Sequence, residues 1–291
     1  MPVAQLLSQY KRTKWPHFAA SLLWSHIEAR YRRRCGTTWV GYIAHLSETC
    51  DDDSAHLVTH VATTDGSGHE AQSIEGIHDA LIAKQLRPDE HYVDAAYVDA
   101  LLLVKAQEQG IETVGPPRPN SSWQTRTEGA YNVEQFEIDW KSKQVTCPEG
   151  KTTRPWQEHV RASGDPYLFA RFRKQDCLDC KARHLCTNAA AGRTLHLLPQ
   201  AAHEALARAR AIQETDEGQK RYQRRAGIES AIAQGVKGFG LRRSRYIGLA
   251  KTHLQNMAIG AAMNIDRLFN WFQGVPLAKT RVSHFKALEP A

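Results

Sequence analysis

One carboxylate, Glu229, stands inside a strongly basic stretch that runs from Lys220 to Lys237. Tyr222, Arg225, Glu229 and Val236 follow one another there at spacings of three, four and seven, which puts them on one face of a helix. Thr215 and Asp216 suit its start and Glu217 its first turn, where the helix dipole favours acids. Gly235, Gly238 and Gly240 loosen its end. Neighbouring guanidinium groups, here Arg221, Arg224 and Arg225, favour the ionised form of an acid. Such an acid can hold a divalent cation while the arginines hold phosphates. The competing reading is a surface ion pair between Arg225 and Glu229, ordinary at this helical spacing.

A second acid has a position that suits chemistry. Tyr92 and Val93 read as a short buried strand, and Asp94 falls at its C-terminal end, where open α/β sheets place their reactive groups. Cys147, Cys177, Cys180 and Cys186 form a third group. Cys177 and Cys180 make a knuckle that lets two thiolates reach one ion, and four sulfurs suit tetrahedral structural zinc. His159 and His184 could each replace one ligand, and free structural thiols are the alternative.

At 291 residues the chain can bury a full core and hold one large or two modest domains. No apolar run is long enough to cross a bilayer, and no signal-peptide pattern opens the sequence, so a cytoplasmic location is expected. Residues 1–150 hold 14 Lys and Arg against 20 Asp and Glu, a net of −6; residues 151–291 hold 24 against 11, a net of +13. The basic second half suggests a polyanion partner, most simply nucleic acid.

The elements that must position these groups come in an α/β order. Residues 1–35 read as an irregular basic arm. Thr37 to Leu46 is a β-branched and aromatic strand, and Leu57 to Thr63 returns after a long polar turn that contains Asp51, Asp52 and Asp53. Ile74 to Ile82 has a helical period. The Asp94 strand, a helix from Asp99 to Gln109 and a strand at Ile111 to Val114 follow. Residues 119–199 break the rhythm with strand-like pieces around the cysteines and read as a β-rich insertion. Residues 200–273 are helical, and residues 274–291 form a tail. Leu254, Met257, Ala261, Ile265, Leu268 and Phe272 share one face of the last helix and are expected to pack inward.

Several stretches together resemble the DDE transposases of bacterial insertion sequences. They are Gly36 to Asp53, Val93 to Tyr97, Cys147 to Lys151 with the knuckle, Arg225 to Glu229, Phe239 to Tyr246 and Leu249 to Leu254. The resemblance runs from about Glu28 to Phe272. It implies an α/β ribonuclease H-like core over 36–118 and 200–273, interrupted by the cysteine-containing insertion. It implies three acids around two Mg²⁺ (or Mn²⁺) ions that cut and join DNA. Asp94 matches the second acid and Glu229 the third. Tyr222 and Arg225 match the Tyr-Arg-Glu-Lys signature, with phosphate roles. Val236 stands where that signature has its basic residue, and Lys237 follows one position later.

Arg242, Arg243, Arg245 and Lys251 are further phosphate contacts for DNA at transposon ends. A homodimer, or association with a full-length transposase, is a possible assembly.

No acid in residues 1–35 matches the family's first. The expectation is therefore an incomplete core that lacks its first strand, with a gap beside the hairpin. It is that of a truncated copy with little or no strand transfer, or a zinc-stapled DNA-binding regulator without catalysis. Ala96 replaces a glycine usual in the family, so a strained turn is expected there. Ile43 also stands where a basic residue is common.

Overall fold

The structure, a computed structural model, describes residues 3–9, 28–34 and 36–276. The basic and apolar residues of 10–27, Cys35 and the tail beyond 276 lie outside the described residues. In chain order the elements are β1 (Val3–Gln9), β2 (Arg30–Arg34), β3 (Thr37–Thr49), β4 (Val58–Asp65), α1 (Gln72–Ala83), β5 (Glu90–Tyr92), α2 (Ala100–Glu108) and β6 (Glu112–Val114). Then come β7 (Glu137–Asp139), β8 (Gln144–Thr146), β9 (Gln157–Val160), β10 (Pro166–Arg171), α3 (Lys174–Leu178), α4 (Arg183–Cys186) and β11 (Thr194–Leu197). Helices α5 (Gln200–Glu214), α6 (Asp216–Tyr222), α7 (Gly227–Gly238) and α8 (Leu249–Phe272) close the chain. Two compact units result: residues 1–116 with 209–291, and residues 117–208.

The first unit is built on one mixed sheet. Strand β1 pairs antiparallel with β3 and parallel with β5, and β5 pairs parallel with β6. Strands β2 and β4 both pair antiparallel with β3. In place of an irregular arm, the opening residues supply strands. The position beside the hairpin that was expected to be a gap is filled by β1. Its sequence is Val-Ala-Gln-Leu-Leu-Ser-Gln, with one β-branched residue in seven, so propensity gives little sign of a strand.

Both faces of the sheet are covered. On one, Ala44, Leu46, Tyr92 and Val114 pack with Ile228, Ala231, Ile232, Leu241, Ile259 and Met263 from α7, α8 and the loop between them. On the other, Ile74 packs with Val93, Tyr97 and Val98. Burial on two faces explains why β3 is buried without interruption from Gly41 to Glu48, rather than alternating.

Helix α8 corrects an expectation. Leu254, Ile265 and Phe272 are 64%, 70% and 79% exposed, so the face expected inside points outward. The buried face holds Thr252, Asn256, Ile259, Gly260 and Met263. Gly260 lets the helix lie close to β4, since a Cβ there would stand 3.0 Å from Val61 Cγ2. Polar side chains then fix it: Asn264 donates to Val58 O (2.9 Å) and accepts from Val58 N (2.7 Å), and Asn256 donates to Thr63 Oγ1 (2.8 Å). The helix is apolar on both sides, and periodicity alone cannot say which side is buried.

The second unit has its own core of Phe136, Val145, Trp156, Leu168, Ala170, Phe172, Leu195 and Leu197. Its sheets are β7–β8 and the antiparallel set β9, β10 and β11.

Arg267 on α8 donates from Nη1 to Glu48 Oε2 (2.7 Å), and Glu48 is only 3% exposed. Burial pushes the Glu48 carboxyl up, and Arg267 opposes that rise. Arg267→Ala leaves this acid buried without its cation and is expected to destabilise the first unit by about 3 kcal/mol. Thermal melting checks this, and Glu48→Gln in the same chain should restore part of the loss.

Candidate functional site

Asp94 follows β5 directly. Val93 N donates to Val114 O (2.9 Å), so the chain stays tied to β6 up to the residue before the acid. Gly115 permits the close passage there: a Cβ would come within 2.6 Å of Val93 O and 2.9 Å of Val98 Cγ2. Asp94 Oδ1 accepts from Ala95 N (2.8 Å) and caps a 3₁₀ turn over Ala95–Tyr97. Ala96 lies within this turn without a positive φ, so the strain expected from its replacing glycine is absent.

The turn is anchored from below. Tyr97, 1% exposed, shares a 2.7 Å hydrogen bond between its hydroxyl and His45 Nδ1. His45 Nε2 lies 2.9 Å from Thr64 Oγ1. Sequence reasoning passed over His45 because it stands in an apolar strand; a histidine in such a run is itself the signal of a buried polar bond.

The basic stretch is helical in two pieces. Thr215 Oγ1 accepts from Gly218 N and caps α6, whose first turn holds Asp216 and Glu217, as expected. A 3₁₀ turn over Gln223–Ala226 then separates α6 from α7. Arg221 does not reach Glu229. It pairs with Glu90 (2.7 Å) and with Glu112, and so ties α6 to β5 and β6. Arg224 stands 3.8 Å from Asp52. Only Arg225 of the three bridges to Glu229, at 3.4 Å, with its guanidinium 5.5 Å from the centre of the Tyr222 ring.

Tyr222 is where the parts meet. Burial is the first cause that raises its pKa; Arg225 opposes, and the charges of Asp94 and Glu229 both push it further up. One phenol thus feels both acids and the arginine. Arg225 Nη1 is buried and makes no hydrogen bond among the described residues. Glu229 itself is 69% exposed in its side chain.

The remaining predicted residues spread further. Val236 packs against the core rather than extending the site. Lys237 is exposed in the last turn of α7, eight residues from Glu229 and so roughly 12 Å along the helix. Arg242, Arg243, Arg245 and Lys251 are exposed on the loop after α7 and the start of α8.

The hairpin acids do not join the group. Glu48 and Tyr92 both lie beside Ala4 in the sheet. From that row β3 runs on toward Asp51, while β5 runs the opposite way toward Asp94. The turn and Asp94 are therefore at opposite ends of the sheet, on the order of 16 Å apart along the strands. Strand β1, which lies between β3 and β5, carries no acid.

The cysteines lie in the second unit. Cys147, Cys177, Cys180 and Cys186 line one cavity in the second unit. They are free thiols, and burial pushes Cys186 up to about 11. Lys151 N donates to Cys147 Sγ (3.3 Å) and Arg193 N to Cys177 Sγ (3.4 Å). Among the described residues, no group of three or more His, Cys, Asp and Glu is placed to hold a metal ion. The four sulfurs named from the sequence are brought to one cavity.

A family model described as a transposase DDE domain matches residues 146–269, less than half of the chain. The matched stretch contains Tyr222, Arg225 and Glu229 and leaves out Asp94. It supports a DDE-type transposase, a class whose members act on DNA and typically use a divalent metal. No curated protein matches. Among the described residues, no helix is long and apolar enough to cross a membrane.

The anchor under Asp94 gives a pH prediction. Burial is the main cause that lowers His45 to about 4, from 6.5 in the unfolded chain; Glu70 opposes and Arg32 and His60 assist. The unfolded state then binds the proton more readily. Stability is full above pH 6.5 and is lost as pH falls toward 4. His60 and His78 are also lowered to about 4, chiefly by burial, and add to the same loss. The melting temperature should fall steadily across that window, and His45→Gln should flatten part of the fall.

Proposed function

We propose that this chain is a DDE-type transposase that binds DNA ends, with Asp94 and Glu229 as the second and third acids of its phosphodiester site and with strand transfer weak or absent. The observation that carries the reading is geometric: Arg225 stands 3.4 Å from Glu229 and 5.5 Å from the centre of the Tyr222 ring, Tyr222 packs against the sheet core, and Asp94 closes β5 of that sheet. An antiparallel hairpin, β3 and β4, beside three parallel strands, β1, β5 and β6, covered by helices on both faces, supports a ribonuclease H-like core.

The donor set suits a divalent cation shared with DNA. Mg²⁺ is commonly held by one or two carboxylates with water and substrate phosphates supplying the rest. Asp94 and Glu229 would hold it. When bound, such an ion polarises a phosphate and activates a water or hydroxyl for attack. The chain's own residues prepare for this. The 3₁₀ turn on Tyr97 and His45 holds Asp94, and Arg221 clamps α6 so that Tyr222 stays against the core. Arg225, beside Glu229 and the Tyr222 ring, carries the guanidinium proposed to meet a phosphate oxygen. Lys237, Arg242, Arg243, Arg245 and Lys251 extend the basic surface for the DNA backbone.

The missing corner sets the expected activity. With no acid in β1, and the hairpin acids at the other end of the sheet, a three-acid clamp lacks its bridging ligand. The same observation favours a second reading, a DNA-binding protein without catalysis that acts as a regulator by occupying transposon ends, alone or alongside a full-length transposase.

The test is DNA cleavage and strand joining with Mg²⁺ or Mn²⁺, comparing the chain with Glu229→Ala at one salt concentration. Salt-dependent binding by both, with little or no cutting by either, is expected. Robust metal-dependent cutting that Glu229→Ala abolishes would contradict the weak-activity claim. Absence of any DNA binding would sink the whole reading. Replacing Arg242 and Arg243 together by Ala should lower the slope of log affinity against log salt by up to about two.

A further inference from the structure

We infer that the groove between the end of α7 and the first turns of α8 takes an unpaired nucleobase of bound DNA, stacked on Tyr246, with its flanking phosphates on Arg245 and Lys251. This rests on the DNA-binding reading above and adds to it a mode of recognition. Phe239, Tyr246, Leu254 and Ala258 give the groove apolar walls, and the two cations stand at its edge. An aromatic ring between basic side chains over an apolar floor is the arrangement by which proteins hold single-stranded nucleic acid.

The ring is presented rather than loose. Tyr246 is 54% exposed, yet the loop that carries it is fixed on both sides. Leu241 is fully buried and anchors the entry. Arg245 N donates to Gln255 Oε1 (2.9 Å), and Gln255 Nε2 donates back to Arg243 O (2.6 Å). Ser244 Oγ donates to Tyr246 O (2.8 Å) and lies 3.0 Å from Thr252 Oγ1. Gly248, at φ 99°, turns the chain into α8, and its N–H donates to the Tyr42 hydroxyl (3.1 Å). A fixed loop has little freedom left to lose on binding, so stacking energy goes into affinity.

Charge decides the occupant. Residues 239–251 carry Arg242, Arg243, Arg245 and Lys251 and no acid. One acid from elsewhere in the chain, Glu28, accepts from Leu249 N at the start of α8 (2.5 Å), but the residues lining the groove include Arg245 and Lys251 and no acid, and a cationic rim of that kind favours a polyanion. Gln255, the amide at the groove, has its oxygen and nitrogen committed to the loop backbone. With one bond from each end of Gln255 spent on the loop, stacking on the flat face of a base is the main contact the groove offers, and stacking tolerates any sequence.

The experiment measures binding of the full chain to two labelled duplexes of one sequence, blunt or with a short single-stranded overhang. Wild type should prefer the overhang. Tyr246→Ala should lose roughly tenfold on the overhang, with blunt binding unchanged. Tyr246→Phe should keep the preference, because the ring stacks without its hydroxyl. A 2-aminopurine in the overhang should be quenched by wild type and not by Tyr246→Ala. Circular dichroism of the variants confirms folding. Equal binding to both duplexes by wild type, or equal loss on both in Tyr246→Ala, overturns the groove proposal while the DNA-binding reading stands. No binding to either duplex overturns both.

Discussion

Helix α7 must bury one face and expose the other, and the site depends on how that constraint is met. Ile228, Ala231, Ile232 and Gly235 lie in the core between the sheet and α8. Gly235 has to be small, since a Cβ there would stand 2.9 Å from Leu241 Cδ2 and 3.2 Å from Met263 Sδ. With that face seated, Glu229 emerges on the solvent side. The Arg221 clamp onto Glu90 and Glu112 then sets where the preceding turn enters, and so where Tyr222 and Arg225 stand. These contacts fix Glu229 on its helix and leave Arg225 between that acid and the Tyr222 ring.

That arrangement has chemistry in it but is not a complete clamp. Glu229 beside the part-buried Arg225, with Asp94 at the end of β5, makes the donor set proposed for a cation that arrives with phosphate. Coordination by protein alone would need further ligands, and among the described residues no cluster of three supplies them. Strand β1 occupies the sheet position from which an acid could join, and its residues are apolar or uncharged. The basic loop after α7 owes nothing to that missing acid. Its backbone is held by Gln255, Ser244 and Tyr42, so DNA affinity can survive where catalysis does not.

Much of the first unit was legible because local signals agreed with one another. The hairpin of β3 and β4 showed in β-branched residues, α1 in its period, and α6 in the Thr215 cap. Asp94 was legible as a strand-end acid, and Arg225 with Glu229 as a helical pair. What escaped depended on tertiary context. Strand β1 is made of Ala, Gln, Leu and Ser after a single Val and becomes a strand through its neighbours on both sides. The buried face of α8 is chosen by Asn256 and Asn264, which bond to β4, and by Arg267, which bonds to Glu48 on β3; together these outweigh the larger apolar residues opposite. Cysteine spacing suggested zinc, but spacing cannot say whether four thiols converge on a point or line a cavity. The site was thus readable in its parts, while their meeting at Tyr222 was visible only in the fold.

The claim at the centre is that Asp94 and Glu229 serve one cation. A double-mutant cycle on Mn²⁺ binding in the presence of DNA, read by electron paramagnetic resonance, tests it most directly. Asp94→Asn and Glu229→Gln alone should each weaken binding about as much as the two together, because either acid is of little use without its partner. Losses that simply add, or no loss in either variant, would show that the two carboxylates act apart and would contradict the account.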